Sequence, residues 1–235
     1  MRVRLSGYVA ADEDVIIYKF FGYQAFGPED VRRALDLCPD EEELVLEINS
    51  LGGSVWAGSE IYSILLGSKK QTRAEIQSVA ASAASYLCLA CNSVWMSPVA
   101  QMMMHLPSTR TSGDRNDHED SIHFLDSVAE GILNAYDQKS NGKKTRAELA
   151  AMMESTRWMP AQEALDAGLI DGILTRDAPA SVLNAAEDIL SLPDIQKLRA
   201  QYHQERQDSD PNPPAATNEW QQSARQLLDI EKNRF

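Results

Sequence analysis

Apolar positions over the first 176 residues fall alternately into short continuous runs and helical spacings. Leu44-Val45-Leu46-Glu47-Ile48 is a compact run that predicts a buried strand, closed by a turn at Asn49-Ser50-Leu51-Gly52-Gly53. Ahead of it, Pro28-Glu29-Asp30 with Val31, Ala34 and Leu35 on one face predicts a helix, since proline suits the first helical position. Ile61, Ile64 and Leu65 mark the next helix. Residues 75–79 read as a strand and residues 82–91 as a helix packed through small side chains. Ser93-Val94-Trp95-Met96 and Gln101-Met102-Met103-Met104 complete the strands. This alternation predicts one α/β unit over 1–176, with a largely parallel sheet flanked by helices.

Further on, Ile122, Leu125, Val128, Ile132, Leu133 and Tyr136 keep helical spacing from His118 to Ser140. That is long for a compact domain, so the helix is expected to project and its stripe to be buried only in an oligomer. Thr145 and Glu148 form a capping-box pattern ahead of Leu149, Met152 and Met153, and Gly168 closes a short helix begun at Pro160. Beyond Arg176 the character changes. Residues 177–235 read as a C-terminal extension, with a linker at Asp208-Ser209-Asp210-Pro211-Asn212-Pro213-Pro214 and a terminal amphipathic helix over 219–235.

Composition narrows the function classes. With 43% hydrophobic and 24% charged residues the chain is globular in type. Its 35 acidic and 22 basic side chains leave a formal net charge of -13, which argues against nucleic acid or an anionic membrane as partner. The weakly polar run 79–91 is too short to span a bilayer, and the first residues carry no secretory h-region. Three cysteines make no disulfide framework. A soluble, cytoplasmic protein is the expectation.

Candidate chemistry lies in three segments. Gly52-Gly53 follows a strand, Ala80-Ala81-Ser82-Ala83-Ala84-Ser85 sits where a strand turns into a helix, and His105 closes a third strand. A serine at such a turn exposes its hydroxyl beside unpaired helix amides, and a histidine supplies the base that the weakly acidic hydroxyl needs. A diglycine lets the backbone approach a substrate closely. Ser85 competes with Ser82 but falls inside the helix, facing packing. Cys88-Leu89-Ala90-Cys91 reads as buried thiols, and His118 and His123 lie on different helix faces, so neither a metal nor a cofactor is expected. Lys69-Lys70 belongs to no phosphate-binding loop, so any ATP dependence would come from a separate protein.

Ile48-Asn49-Ser50-Leu51-Gly52-Gly53, Ala80-Ala81-Ser82, Met103-Met104-His105-Leu106-Pro107 and Glu163-Ala164 through Gly168-Leu169-Ile170-Asp171 together resemble the proteolytic subunit of Clp protease, above all its phage and prophage relatives. The resemblance spans residues 15–175. It implies a ClpP/crotonase-like fold with a projecting handle helix, and a serine endopeptidase acting on polypeptide substrates inside stacked, heptameric rings. A separate ATP-dependent unfoldase or phage capsid proteins would be partners, and phage head maturation the setting. Carried over residue by residue, the nucleophile falls on Ser82, the general base on His105 and the oxyanion amides on Gly53 and Ala83. Alignment back from Pro98 and His105 favours Ser82 over Ser85. Leu51 stands where the family has proline. Anchoring on Trp158 and Ala161 puts Thr156 where the triad acid belongs, leaving Glu154, two residues upstream, as the candidate carboxylate. Asp171 reads as structural. Two rival readings share the fold: a proteolytically silent scaffold or assembly protein, and a crotonase-like acyl-CoA enzyme.

Overall fold

The computed structural model describes residues 1–175 and 194–209. Among the described residues eight strands form one sheet: β1 (Arg2–Val9), β2 (Ala25–Phe26), β3 (Leu44–Gly53), β4 (Thr72–Ala81), β5 (Ser93–Met96), β6 (Gln101–Met104), β7 (Arg157–Pro160) and β8 (Gly172–Ile173). The path β2-β1-β3-β4-β5-β8 is parallel throughout. Along the same chain run α1 (Asp12–Phe20), α2 (Pro28–Leu37), α3 (Val55–Gly67), α4 (Ala83–Leu87), α5 (Arg115–Ser140), α6 (Arg146–Glu154) and α7 (Ala161–Asp166). The mixed α/β architecture with a parallel sheet is the expected one.

Strand β4 organises the site because it changes partner along its length. Its first half pairs with β5, from Arg73 opposite Ser93 to Ile76 opposite Met96. Its last three residues pair instead with β6, ending at Ala81 opposite Met103. On its other side β3 shifts register between Ile48 and Ser50, which sets Ser50 opposite Ala80. The carboxyl ends of β3, β4 and β6 therefore lie side by side, the position where parallel sheets bind ligands.

The core is built from Leu5, Leu46, Ile48, Ile61, Ile76 and Met96, each 1% exposed or less, between sheet and helices. Two acidic residues interrupt the strands, Glu47 and Glu75, which face each other across β3 and β4 and are both buried. Like charges in that register would repel. Arg2 relieves them by donating through Nε to Glu47 at 2.8 Å and through its terminal nitrogen to Glu75.

Several elements differ from expectation. The turn expected at 49–53 is the irregular end of β3, which runs unbroken to Gly53. The helix expected over 82–91 begins at Ala83, not Ser82, and tightens into a 3₁₀ turn at Cys88–Ala90. β1, α1 and β2 occupy the first 26 residues, where no element was expected, and β7 runs antiparallel to β6. The capping box on α6 forms as predicted: Thr145 Oγ1 accepts from the Glu148 amide at 3.2 Å, and Glu148 accepts from the Thr145 amide at 2.8 Å.

Helix α5 has 26 residues, about 39 Å of rise. Only its C-terminal part is buried, at Ile132, Leu133, Ala135, Tyr136 and Ser140. Ile122 and Phe124 are exposed, while Leu125 and Val128 are half-buried. The predicted stripe thus divides: Ile132 and Leu133 are core within the chain, not surface awaiting an oligomer.

A second unit, described by itself, contains α8 (Ile195–Ser209). This helix takes in Asp208 and Ser209, where the linker was expected to begin. The rest of that linker, the terminal helix over 219–235 and the boundary at 176–177 lie outside the described residues.

Candidate active site

Ser82 occupies the junction between β4 and α4 with φ 53° and ψ -125°. A non-glycine residue with positive φ is uncommon and is held there by its surroundings. Here the Ser82 amide donates to Met103 O at 2.9 Å, which ties the turn to β6, and its carbonyl accepts from the Ser85 amide at 2.9 Å. The effect is to turn the Ser82 side chain out of the helix line and towards the end of β6, where it is half-buried.

His105 follows β6 directly. Its Nε2 lies 2.8 Å from Ser82 Oγ, within proton-transfer distance. Among the described residues this is the one hydrogen bond the ring makes. The imidazole is half-buried, and burial holds its pKa below the ordinary 6.5. Burial thus favours the neutral ring, the form in which one ring nitrogen carries a lone pair.

The diglycine end of β3 closes the other side. A Cβ on Gly52 (φ 94°) would come within 2.7 Å of the Ser82 Cβ and 2.9 Å of the Ala83 nitrogen, so only glycine allows this approach. The Gly52 amide donates to Ser50 Oγ at 3.1 Å and the Ser54 amide to Val9 O at 2.8 Å. Both neighbours of the Gly53 amide are thus committed. Ala83 is the first residue of α4, where an amide has no intrahelical acceptor. Gly52, Ser82, Ala83 and His105 lie together at the ends of three adjacent strands, with Gly53 the next residue along β3.

The acid candidates fare differently. Glu154 is exposed at the last residue of α6, and no hydrogen bond joins it to His105. The β6–β7 register pairs Met103 with Trp158 and Met104 with Arg157 and ends there; Thr156 lies in the turn one residue before β7, and His105 one residue after β6. Thr156 carries φ 52° and is exposed. Asp171 lies away from this cluster, accepting from the Val94 amide at 2.7 Å and from Lys139 Nζ at 2.6 Å. Ser85 is fully buried, its hydroxyl hydrogen-bonded to the Ser82 carbonyl and to Tyr136. Cys88 and Cys91 are buried free thiols, and burial pushes the Cys91 pKa up to about 12. Among the described residues no group of three or more His, Cys, Asp or Glu side chains is placed to hold a metal, and no helix is long and apolar enough to cross a membrane.

The sequence model of the Clp protease family matches residues 33–177, more than half of the 235-residue chain. The chain belongs to the Clp protease family. Among individual relatives of this Clp protease family member is the ATP-dependent Clp protease proteolytic subunit 2 of Rhodococcus jostii (strain RHA1). It is 31% identical over 144 residues, covering 59% of this chain and 71% of that protein. The proteolytic subunit 1 of Chlamydia pneumoniae is 30% identical over 144 residues, and that of Chlamydia muridarum (strain MoPn / Nigg) 28%; each comparison covers 60% of this chain and 74% of the relative. Family membership makes this a protease-type chain. The match begins inside α2, yet β1, which precedes it, pairs with β3 along the same sheet, so the first 32 residues of this Clp protease family member are integral to its fold.

Proposed function

We propose that the chain is a serine endopeptidase in which Ser82 is the nucleophile and His105 the general base. The observation that supports this reading is the 2.8 Å contact between Ser82 Oγ and His105 Nε2 at the mouth of the sheet. His105, in its neutral form, takes the hydroxyl proton as Oγ adds to the scissile carbonyl. The Gly53 and Ala83 amides receive the developing oxyanion, and His105 then returns its proton to the leaving amine. Water repeats the sequence to release the acyl group. His105 acts without a carboxylate: the resemblance puts Thr156 where the third member belongs, and a Ser-His pair keeps part of its activity when the orienting acid is missing. A crotonase-like reading explains the backbone amides but gives Ser82 and His105 no joint role.

Polypeptides are the substrates in this reading. The exposed apolar residues at the start of α5 support self-association into stacked rings, and the names of the relatives support a separate ATP-dependent partner. The serine segment Ala80–Ser85, which resembles that of phage relatives, is what favours head maturation as the setting.

Purified wild type should hydrolyse unstructured peptides and be labelled at Ser82 by a fluorophosphonate. Ser82→Ala should lose labelling and at least about a thousandfold in turnover while keeping its fold. Labelling that persists in Ser82→Ala would discard the assignment, and an inert wild type would favour the silent scaffold.

A further inference from the structure

Ser85 and Tyr136 are 51 positions apart, both buried, with their hydroxyl oxygens 2.5 Å apart. Ser85 Oγ also lies 2.6 Å from the Ser82 carbonyl oxygen. A carbonyl only accepts, so the Ser85 proton goes to Ser82, and the Ser85 oxygen is left to accept from Tyr136. The bonds therefore run one way: the Tyr136 hydroxyl donates to Ser85, and the Ser85 hydroxyl donates to the Ser82 carbonyl. Burial raises the Tyr136 pKa above its ordinary 10, which keeps the phenol protonated as the first donor.

The Ser82 carbonyl and the Ala83 amide belong to one planar peptide unit and point in opposite directions. Whatever fixes that carbonyl fixes the Ala83 N–H. The need for fixing is visible in ψ -125° at Ser82, far from the extended values near 150° at Thr145 and Ala11, which open α6 and α1. The Ser85 amide and hydroxyl both converge on this carbonyl. Tyr136 belongs to the buried part of α5, so the orientation of the peptide plane depends on the seat of that helix.

Resting on the serine-peptidase reading above, we infer that Tyr136 and Ser85 are positioning residues that aim the Ala83 amide at the oxyanion through the Ser82 carbonyl. Neither touches substrate. A pair serving only to satisfy two buried hydroxyls would affect stability alone, whereas an aiming device acts on the transition state. Losing an oxyanion donor outright costs about 10²–10³ in kcat; a misaimed one should cost less.

The test compares wild type, Tyr136→Phe, Ser85→Ala and the double variant, using peptide hydrolysis, affinity for a peptide boronic acid that forms a tetrahedral adduct with serine, and thermal melting. Tyr136→Phe should lower kcat about tenfold with KM within about twofold of wild type, and weaken boronic acid binding by the same factor. Ser85→Ala should lose at least as much, and the double variant no more than Ser85→Ala, because the two act in series. Wild-type kcat and boronic acid affinity in both single variants, whatever their melting temperatures, would overturn the proposal and leave the peptidase reading intact. Should Tyr136→Phe not fold, Ser85→Ala carries the same readout. A wild type that neither hydrolyses peptides nor takes up a fluorophosphonate would overturn both.

Discussion

Ser82 and Thr156 each hold a left-handed backbone angle, φ 53° and φ 52°, at a cost of roughly 1–3 kcal/mol apiece. At Ser82 the cost is offset by three backbone and side-chain hydrogen bonds and places Oγ against His105. At Thr156, one residue before β7, a β-branched residue occupies a conformation it suits poorly. Aspartate is better tolerated there and would add the missing carboxylate. Thr156→Asp is therefore expected to raise kcat/KM about tenfold or more, whereas Glu154→Gln should leave it within about twofold. The pH profile distinguishes the two states of the site. Burial lowers the His105 pKa, so activity in the wild type should persist as pH falls through 6.5 and be lost only below it, when the ring protonates. A carboxylate beside His105 favours the imidazolium, so the acid limb of Thr156→Asp should move to higher pH. An unchanged limb with unchanged rate would show that residue 156 does not face the histidine. The closeness of Ser82 and His105 was legible only through the order and spacing of the segments that resemble the family, since neither an alanine-flanked serine nor a strand-end histidine marks a site by itself. The Ser85–Tyr136 contact was not, since nothing local announces a pairing across 51 positions.

At the scale of elements, legibility followed burial. β5 and β6 are short and half apolar-facing, and their limits match the runs Ser93–Met96 and Gln101–Met104. β1 was invisible because its Arg2, Arg4 and Ser6 face partly to solvent and its strand character comes from pairing with β3. β7 shows one buried residue in four; what makes it a strand is β6. Asp171 illustrates a residue whose role belongs to element packing. Its carboxylate caps the amide of fully buried Val94 in β5 and receives Lys139 from α5, so it ties the β8 end of the sheet to both. Asp171→Ala leaves that amide without its acceptor and should destabilise the fold by about 1–3 kcal/mol. Chemical denaturation would measure this. Because the site is built from β3, β4 and β6 and not from β8, kcat/KM well below the melting temperature should stay within about twofold. A large catalytic loss in a variant of normal stability would instead move Asp171 into the active machinery.

For the whole molecule the remaining demand is the exposed apolar surface in the first half of α5, where, among the described residues, the one ring that Phe124 meets is that of Trp56. Ile122 is 56% and Phe124 45% exposed, with Leu125 half-buried beside them, on a helix whose remaining turns are anchored by Ile132, Leu133 and Tyr136. Fully covering each of these side chains is worth roughly 1.5–3 kcal/mol, so a partner copy presenting the same stripe would gain several times that. The net charge of -13 opposes such an assembly through long-range repulsion, which salt screens. Particle mass should therefore rise with ionic strength if the contact is apolar, and fall if ion pairs hold it. Paired substitutions Ile122→Glu and Leu125→Glu should lower the mass in analytical ultracentrifugation while leaving far-ultraviolet circular dichroism unchanged, because neither side chain belongs to the anchored part of the helix. Ile132→Glu should instead unfold the chain, since that position is already only 8% exposed within the single chain. Peptide hydrolysis by the Ile122/Leu125 double variant then tests whether assembly reaches the site. Tyr136 links α5 to the serine turn, so loosening the free end should lower kcat in step with the mass. A double variant of undiminished mass would show that this stripe is no contact between copies.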